Sequence, residues 1–158
     1  MFNYRLLLKG HMDEILVAVD GSKHSFNIVD RGCEQAKAFS SSILLVYVMK
    51  EIVEEPEGIV SYEKSEGYSD AFSDYIQQLG DQITGKLAEK IKQAGIPFRV
   101  LTPSGNVAEE ILNIANADKV RMIVMGIKGL HGLARLRSLG SVTRRVAENS
   151  DCPVLLVP

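Results

Sequence analysis

The sequence predicts an α/β domain in which helices cover both faces of a doubly wound, five-stranded parallel sheet. Short apolar runs alternate with amphipathic helical patterns along the chain, and repeats of strand, helix and strand form parallel sheets with right-handed crossovers. Most of the apolar runs are nearly continuous rather than alternating, which is typical of strands buried on both faces. These two observations predict the fold class.

Five apolar runs bounded by turn residues are the predicted strands. They cover residues 15–19, 43–48, 98–101, 122–125 and 154–157. The first predicted helix lies between the first two strands, where Phe26, Val29, Cys33 and Ala36 recur at spacings of three and four. The second has the same spacing from Tyr75 to Ala94 and ends at Gly95.

The last two helices have terminal signals in the sequence. The third is predicted to begin at Asn106, whose side chain can cap the helix while Glu109 completes a capping box. Its predicted inward face carries Val107, Ile111 and Ile114. The fourth runs from Ser141 to Asn149 and is stopped by Pro153.

Two segments lie outside this pattern. Residues 1–12 precede the first strand as an N-terminal extension or a cloning remnant, since Gly10-His11-Met12 resembles a cloning scar. Residues 50–67 are polar and acidic and are predicted to form a mobile loop. The remaining organisation predicts one domain over residues 13–158.

Composition excludes several classes of protein. The chain has 158 residues, of which 46% are hydrophobic and 24% charged, as expected of a globular domain with a core. No apolar run reaches the length of a membrane span or a secretory signal, so a cytoplasmic protein without a membrane partner is predicted. Cys33 and Cys152 are interpreted as buried thiols, and a pI of about 5.9 argues against binding to nucleic acid.

Positive charge is concentrated in one segment. Residues 119–147 contain seven Lys and Arg residues and no Asp or Glu, although the whole chain has a net charge of -2. The same segment is rich in glycine, with Gly126, Gly129 and Gly140 in the crossover between the fourth strand and the fourth helix. The charge run alone is compatible with a solvated helix face. Together with glycines at a strand-to-helix crossover it predicts a phosphate site.

A second glycine pattern is rejected. Residues 80–87 match the P-loop pattern up to the last position, where Leu87 replaces the Ser or Thr that would bind magnesium. The stretch also lies within an amphipathic helical pattern, whereas a P-loop needs a strand before it. The first strand is followed by Asp20-Gly21-Ser22, which lacks the glycine row of a dinucleotide-binding turn.

Five motifs in the predicted order resemble the universal stress protein family. They are VAVDGS at 17–22, VAEEI at 107–111, VMG at 124–126 with Gly129, GSVT at 140–143 and CPVLLV at 152–157. The resemblance covers residues 13–158. It implies the strand order 3-2-1-4-5, which places Asp20 and Gly126 across one crevice. The family's nucleotide motif has nine residues between the second glycine and the Gly-Ser pair, and this chain has ten.

The resemblance also implies a binding site for an adenine nucleotide. It places the adenine against the backbone of Val48 and beside Ala18 and Val19, with Asp20 at the ribose or at a metal-bound water. The residues implied to hold the phosphates are Gly126, Gly129, Gly140, Ser141 and Val142, with Lys128 as a local cation. For Asp20, the alternative is a structural role as the cap of the first helix.

The predicted function is that of a stress-response protein that binds ATP or another adenine nucleotide, with or without Mg²⁺, and acts as a dimeric sensor or regulator. The resemblance implies a homodimer through residues 152–158, paired antiparallel across the sheet edge. Two alternatives stay open. One is a slow ATP hydrolase in which Asp20 or His131 positions water, and the other is an interaction module that binds no nucleotide. No catalytic residue is assigned, and the metal is left unknown.

Overall fold

The computed structural model describes residues 13–49, 66–127 and 139–158. The predicted N-terminal extension, most of the predicted loop at 50–67, and Lys128, Gly129 and His131 lie outside the described residues. Within the described residues, no helix is long and apolar enough to cross a membrane.

Strands and helices alternate along the chain as predicted. The strands are β1 (Glu14–Val19), β2 (Ser42–Tyr47), β3 (Phe98–Leu101), β4 (Met122–Gly126) and β5 (Val154–Val157). The helices are α1 (Ser25–Phe39), α2 (Glu66–Gln93), α3 (Val107–Ala117) and α4 (Ser141–Asn149). Every strand lies within one residue of its predicted bounds, because each is a compact apolar run between turn residues.

The five strands form one parallel sheet in the order β3-β2-β1-β4-β5. This confirms the doubly wound topology and the strand order that the family resemblance implies. In the centre of the sheet, Val17 of β1 is level with Leu45 of β2 and with Val124 of β4. β1 and β4 are therefore neighbours, although α1, α2 and α3 separate them in sequence.

Two hydrophobic clusters lie on opposite faces of the sheet, which confirms that helices cover both faces. Alternate residues of β1 belong to different clusters, as the side-chain period of a strand requires. Ile15, Val17 and Val19 pack with α1 and α2. Leu16 and Ala18 pack with α3 and α4.

α1 packs closely against β1 at the centre of the sheet. Gly32 is buried in the face that α1 turns towards β1. A Cβ atom at this position would lie 2.5 Å from Cγ2 of Val17, well inside van der Waals contact. Glycine is therefore required at position 32 by the approach of the helix to the strand.

Ion pairs connect elements at the amino edge of the sheet. The guanidinium group of Arg99 contacts Glu14 at 2.6 Å and Asp118 at 2.7 Å. These two hydrogen bonds to carboxylates raise the pKa of Arg99 above its usual range. Arg121 pairs with Asp13 at 3.1 Å and lies 4.0 Å from the ring centre of Phe39. Charged side chains at this edge therefore pair with one another.

Two details of the helices differ from the sequence prediction. α2 begins at Glu66, so residues 66 and 67 of the predicted loop are helical. Gly67 was interpreted as a loop residue, but a single glycine costs a helix only about 1 kcal/mol and does not end it. The sequence spacing placed Phe26 on the inward face of α1, but this residue is 39% exposed. Ile28 is buried instead, beside Val29.

The rejected P-loop pattern lies inside α2, as predicted. Leu87 is buried in the core, and Thr84 is buried with its hydroxyl donating to the carbonyl of Gly80 at 2.8 Å. The backbone here is committed to helical hydrogen bonds, so its amides cannot encircle a phosphate.

Candidate functional site

The predicted site lies at the carboxyl edge of the sheet, where β1 and β4 end side by side. After β1 the chain continues into α1 on one face, and after β4 it continues towards α4 on the other face. Neighbouring strands that lead to opposite faces leave a crevice between their ends, and ligands of doubly wound domains bind there. Asp20 follows β1 directly, and Gly126 is the last residue of β4.

The carboxylate of Asp20 is held in place by the turn that follows it. Its Oδ1 atom accepts hydrogen bonds from the backbone N–H of Ser22 at 3.0 Å and from the hydroxyl of Ser25 at 3.1 Å. The turn needs Gly21, whose φ of +78° favours glycine. The orientation of the Asp20 carboxylate is thus fixed before any ligand arrives.

Asp20 is not the N-cap residue of α1, so that structural alternative is wrong in its simple form. The helix begins at Ser25, and the N-cap position is His24, which makes no side-chain capping hydrogen bond. Asp20 contacts the first residue of the helix through the hydroxyl of Ser25, which is 1% exposed. The carboxylate therefore organises the turn and stands at the mouth of the crevice at the same time.

The residues implied to lie near the adenine divide between the two faces of the sheet. Ala18 and Val48 belong to the cluster on the α3 and α4 side, and each is 7% exposed. Val19 packs into the opposite cluster with α1 and α2. Ala18 and Val48 can thus form one apolar wall, whereas Val19 can offer a ligand only its main chain.

Tyr47 ends β2 on the same edge of the sheet. Burial raises the pKa of its phenol, and the negative charge of Asp20 raises it further. The side chain of Tyr47 packs against the cluster on the α1 and α2 side, so this influence of Asp20 lies on the face opposite Ala18 and Val48.

The two ends of the glycine-rich crossover are joined by hydrogen bonds. The N–H of Gly140 donates to the carbonyl of Ile127 at 3.0 Å. The hydroxyl of Thr143 donates to the carbonyl of Gly126 at 2.9 Å. The start of α4 is therefore attached to the end of β4, and the intervening residues 128–138, with Lys128 and Gly129, lie outside the described residues.

The first turn of α4 is suited to an anion. Its N-cap residue is Gly140, and among the described residues no side chain caps the helix. Ser141 and Val142 are the first two helical residues, and the first turn contains no acidic side chain. Their backbone N–H groups lack partners within the helix, and the helix dipole adds partial positive charge at this end.

Two residues of the site were missed by the sequence prediction. Thr143 is 3% exposed and lies three residues before the buried Val146, a spacing that could have identified it as an inward-facing polar group. His24 contacts the carbonyl of Val157 through its Nε2 atom at 3.2 Å. These two residues are 133 positions apart, so no local pattern could have predicted the contact.

Two clefts of the described structure lie on the α1 and α2 side, beside the predicted crevice. One, of about 560 Å³, is lined by Gly21, Ser22, Lys23 and Phe26 together with α2. The other, of about 520 Å³, lies between α1, α2 and the end of β5 and has Cys33 in its lining. Within the described ranges, no group of three His, Cys, Asp or Glu residues could hold a metal ion.

Comparison with known proteins identifies one family. The model of the universal stress protein family matches residues 12–158. Universal stress protein YxiE of Bacillus subtilis is 31% identical over 146 residues, covering 92% of this chain and 98% of the relative. A universal stress protein of Methanocaldococcus jannaschii is 31% identical over 144 residues, covering 91% of this chain and 81% of the relative.

Solved structures of the family have the same fold. A universal stress protein in complex with cAMP has a TM-score of 0.63 at 23% identity and covers 94% of this chain and 98% of its own. The universal stress protein of Archaeoglobus fulgidus in complex with dAMP has a TM-score of 0.61 at 16% identity and covers 94% and 98% of the two chains.

Proposed function

We propose that this chain, which belongs to the universal stress protein family, binds an adenine nucleotide in the crevice between the ends of β1 and β4. ATP is the proposed ligand, with or without Mg²⁺. In this proposal the protein is a dimeric sensor or regulator whose state depends on nucleotide occupancy. No catalytic residue is assigned.

The N-terminus of α4, which no described side chain caps, carries the proposal. It stands at the switch point of the sheet and is attached to the end of β4 through the Gly140 and Thr143 hydrogen bonds. Phosphate groups bind at helix N-termini because free N–H groups and the helix dipole both favour negative charge. We assign the phosphates to the amides of Gly126, Gly140, Ser141 and Val142, and to Gly129 with Lys128 beside it.

The opposite wall supports the assignment of the base and ribose. Ala18 and Val48 offer an apolar surface on the face that also carries α4, and Val19 offers its main chain. Asp20 is held by Ser22 and Ser25 in an orientation fixed by two hydrogen bonds, so its carboxylate can accept a hydrogen bond from a ribose hydroxyl or from a metal-bound water.

The ligands of two related structures indicate which part of a nucleotide the crevice would bind. One relative binds cAMP and another binds dAMP. These two molecules share the adenine base and a phosphate on the 5′ oxygen, and they differ in the ribose 2′ hydroxyl and the cyclic phosphodiester. The shared part matches the two walls of the crevice, with the apolar wall for the base and the α4 terminus for the phosphate.

The proposal is tested by identifying what the purified protein carries and what it binds. Mass spectrometry of the material released on denaturation is expected to detect an adenine nucleotide. After the ligand is removed, calorimetric titration with ATP, AMP and cAMP is expected to show saturable binding at one site per chain. GTP at the same concentrations is the control for base recognition. A protein that releases no nucleotide and binds none of the adenine ligands at millimolar concentration contradicts the proposal.

Dimerisation is proposed through β5, which lies at the edge of the sheet. Among the described strands, β5 pairs with β4 alone, and Val154, Leu155 and Leu156 are only partly buried. An apolar edge strand with unpaired backbone groups tends to pair with another strand. We assign the partner as the same strand of a second copy, arranged antiparallel.

The hydrogen-bond pattern of β5 provides a matched pair of variants. Pro153 accepts a hydrogen bond from Ile123 of β4, and Val157 accepts one from Ile127, the residue after β4. By alternation, the backbone of Leu155 faces β4 and that of Leu156 faces the open edge. Leu156→Pro removes an edge donor but spares the pairing with β4, and is expected to weaken the dimer while the chain stays folded. Leu155→Pro is expected to destabilise the fold itself. Light scattering that shows a monomeric parent protein at tens of micromolar contradicts the dimer.

A further inference from the structure

His24 makes a long-range side-chain contact at the carboxyl edge, with a residue 133 positions away. It is the residue before α1, and its ring does not cap its own helix. Instead the Nε2 atom lies 3.2 Å from the carbonyl oxygen of Val157, at the end of β5. A carbonyl oxygen only accepts hydrogen bonds, so Nε2 carries the proton and donates.

The carbonyl of Val157 is also bonded to the wall of the crevice that β4 forms. It accepts a second hydrogen bond from the N–H of Ile127 at 2.9 Å, and the carbonyl of Ile127 in turn accepts from Gly140 at 3.0 Å. A continuous series of hydrogen bonds thus runs from His24 through Val157 and Ile127 to the start of α4.

This series spans a region where the sheet provides no direct connection. The register between β1 and β4 ends at the pair Val17 and Val124, although β1 continues to Val19 and β4 to Gly126. β4 and β5 remain paired up to Gly126 and Val157. The two central strands therefore separate before they end, and among the described residues His24 connects the turn after β1 to the ends of β4 and β5.

We infer that His24 is a positioning residue that sets the separation of the two walls of the crevice, with the Asp20 turn on one side and the α4 terminus on the other. The inference rests on the proposed function. A ligand that contacts both walls binds more tightly when their separation is fixed in advance, because less freedom is lost on binding. His24 need not touch the nucleotide to have this effect.

Three substitutions test the role of the Nε2 donor. His24→Leu removes it. His24→Gln replaces it with an amide N–H at a similar reach, and His24→Asn places the amide one methylene too short. A single hydrogen bond contributes enough to change an equilibrium about two- to tenfold. The dissociation constant for ATP is expected to rise by that factor in His24→Leu and His24→Asn, and to stay within about twofold of the parent in His24→Gln.

Two further measurements make the outcome decisive. Urea unfolding of each variant establishes that the protein is folded during the titration, so a change in ATP affinity is not a loss of folded protein. Amide exchange of Ile127, followed by NMR, is expected to accelerate in His24→Leu and to return towards the parent rate in His24→Gln.

The outcomes separate this inference from the proposed function. An ATP affinity equal to that of the parent in all three variants, or equal weakening in His24→Leu and His24→Gln, overturns the inference while the parent still binds. A parent that binds no adenine nucleotide overturns the proposed function instead. The exchange rate of Ile127 then decides whether His24 restrains the wall, and a rate unchanged by His24→Leu overturns that restraint.

Discussion

α3 and α4 begin at the same edge of the sheet and pack together on the same face, yet their first turns are completed in opposite ways. At α3, the side chain of Asn106 accepts a hydrogen bond from the N–H of Glu109 at 3.3 Å, and Glu109 and Glu110 supply negative charge in the first turn. At α4, the N-cap residue is Gly140, no described side chain caps the helix, and the first turn is free of acids.

In the proposed function, this difference separates a structural terminus at α3 from a phosphate-binding terminus at α4. α3 satisfies part of its free N–H groups and its dipole with its own residues, so an incoming anion would meet negative charge there. At α4, no side chain in the described part of the chain meets the same requirements, and the proposed phosphate would meet them. Glu109 does not complete the predicted capping box but pairs with Arg145 of α4 at 2.7 Å.

The largest expected effect comes from making α4 resemble α3. Gly140 has φ -59° and ψ 154°, a conformation open to any residue, so Gly140→Asp supplies a cap without backbone strain. The new carboxylate would occupy the proposed phosphate position, so the ATP dissociation constant is expected to rise at least about thirtyfold, or about 2 kcal/mol. Calorimetric titration measures the affinity. Gly140→Ala is the control, and a similar loss in both variants would assign the effect to bulk rather than charge.

The next effect concerns Asp20, on the other side of the crevice. Asp20→Asn retains the oxygen that accepts from Ser22 and Ser25 but removes the charge. ATP affinity is expected to fall about tenfold, as for the loss of a charged hydrogen bond worth about 1.5 kcal/mol. The free energy of unfolding of the protein without nucleotide is expected to change by less than that. An unchanged ATP affinity would leave Asp20 with only its role in the turn.

A smaller effect, on stability and not on ATP affinity, is expected at α3. Asn106→Ala removes the cap and should lower the free energy of unfolding by about 1 kcal/mol, as measured by urea denaturation. ATP affinity should be unchanged, because α3 lies outside the proposed site. If this variant instead weakens ATP binding, the contrast between the two helix termini does not hold.

The smallest effect is expected for the ion pair between the two helices. Arg145 and Glu109 are each about half exposed, and exposed pairs contribute little. Arg145→Gln should change the free energy of unfolding by less than about 0.5 kcal/mol. A larger decrease in the free energy of unfolding, measured by denaturation, would mean that the two termini are coupled. They could then not be compared as independent units.

The contrast also explains which features the sequence could predict. Strand bounds and the Asn106 cap were predictable because each depends on neighbours within a few positions. The start of α2 was missed because Gly67 resembles a turn residue, and the outward position of Phe26 was missed because Ile28 fits the inward face equally well by spacing. The contact of His24 with Val157 depends on the folded sheet, so no local signal contains it.

Gly32 connects the packing of α1 in the core to the position of His24 next to its first turn. Because a methyl group there would meet the short, rigid side chain of Val17 at 2.5 Å, Gly32→Ala forces the helix itself to move away from the sheet. His24 lies two helical turns before Gly32, nearer the crevice. A displacement of the middle of α1 therefore changes the distance between the His24 ring and the carbonyl of Val157. The packing of α1 against β1 in the core thus affects how close His24 lies to Val157 at the edge of the sheet.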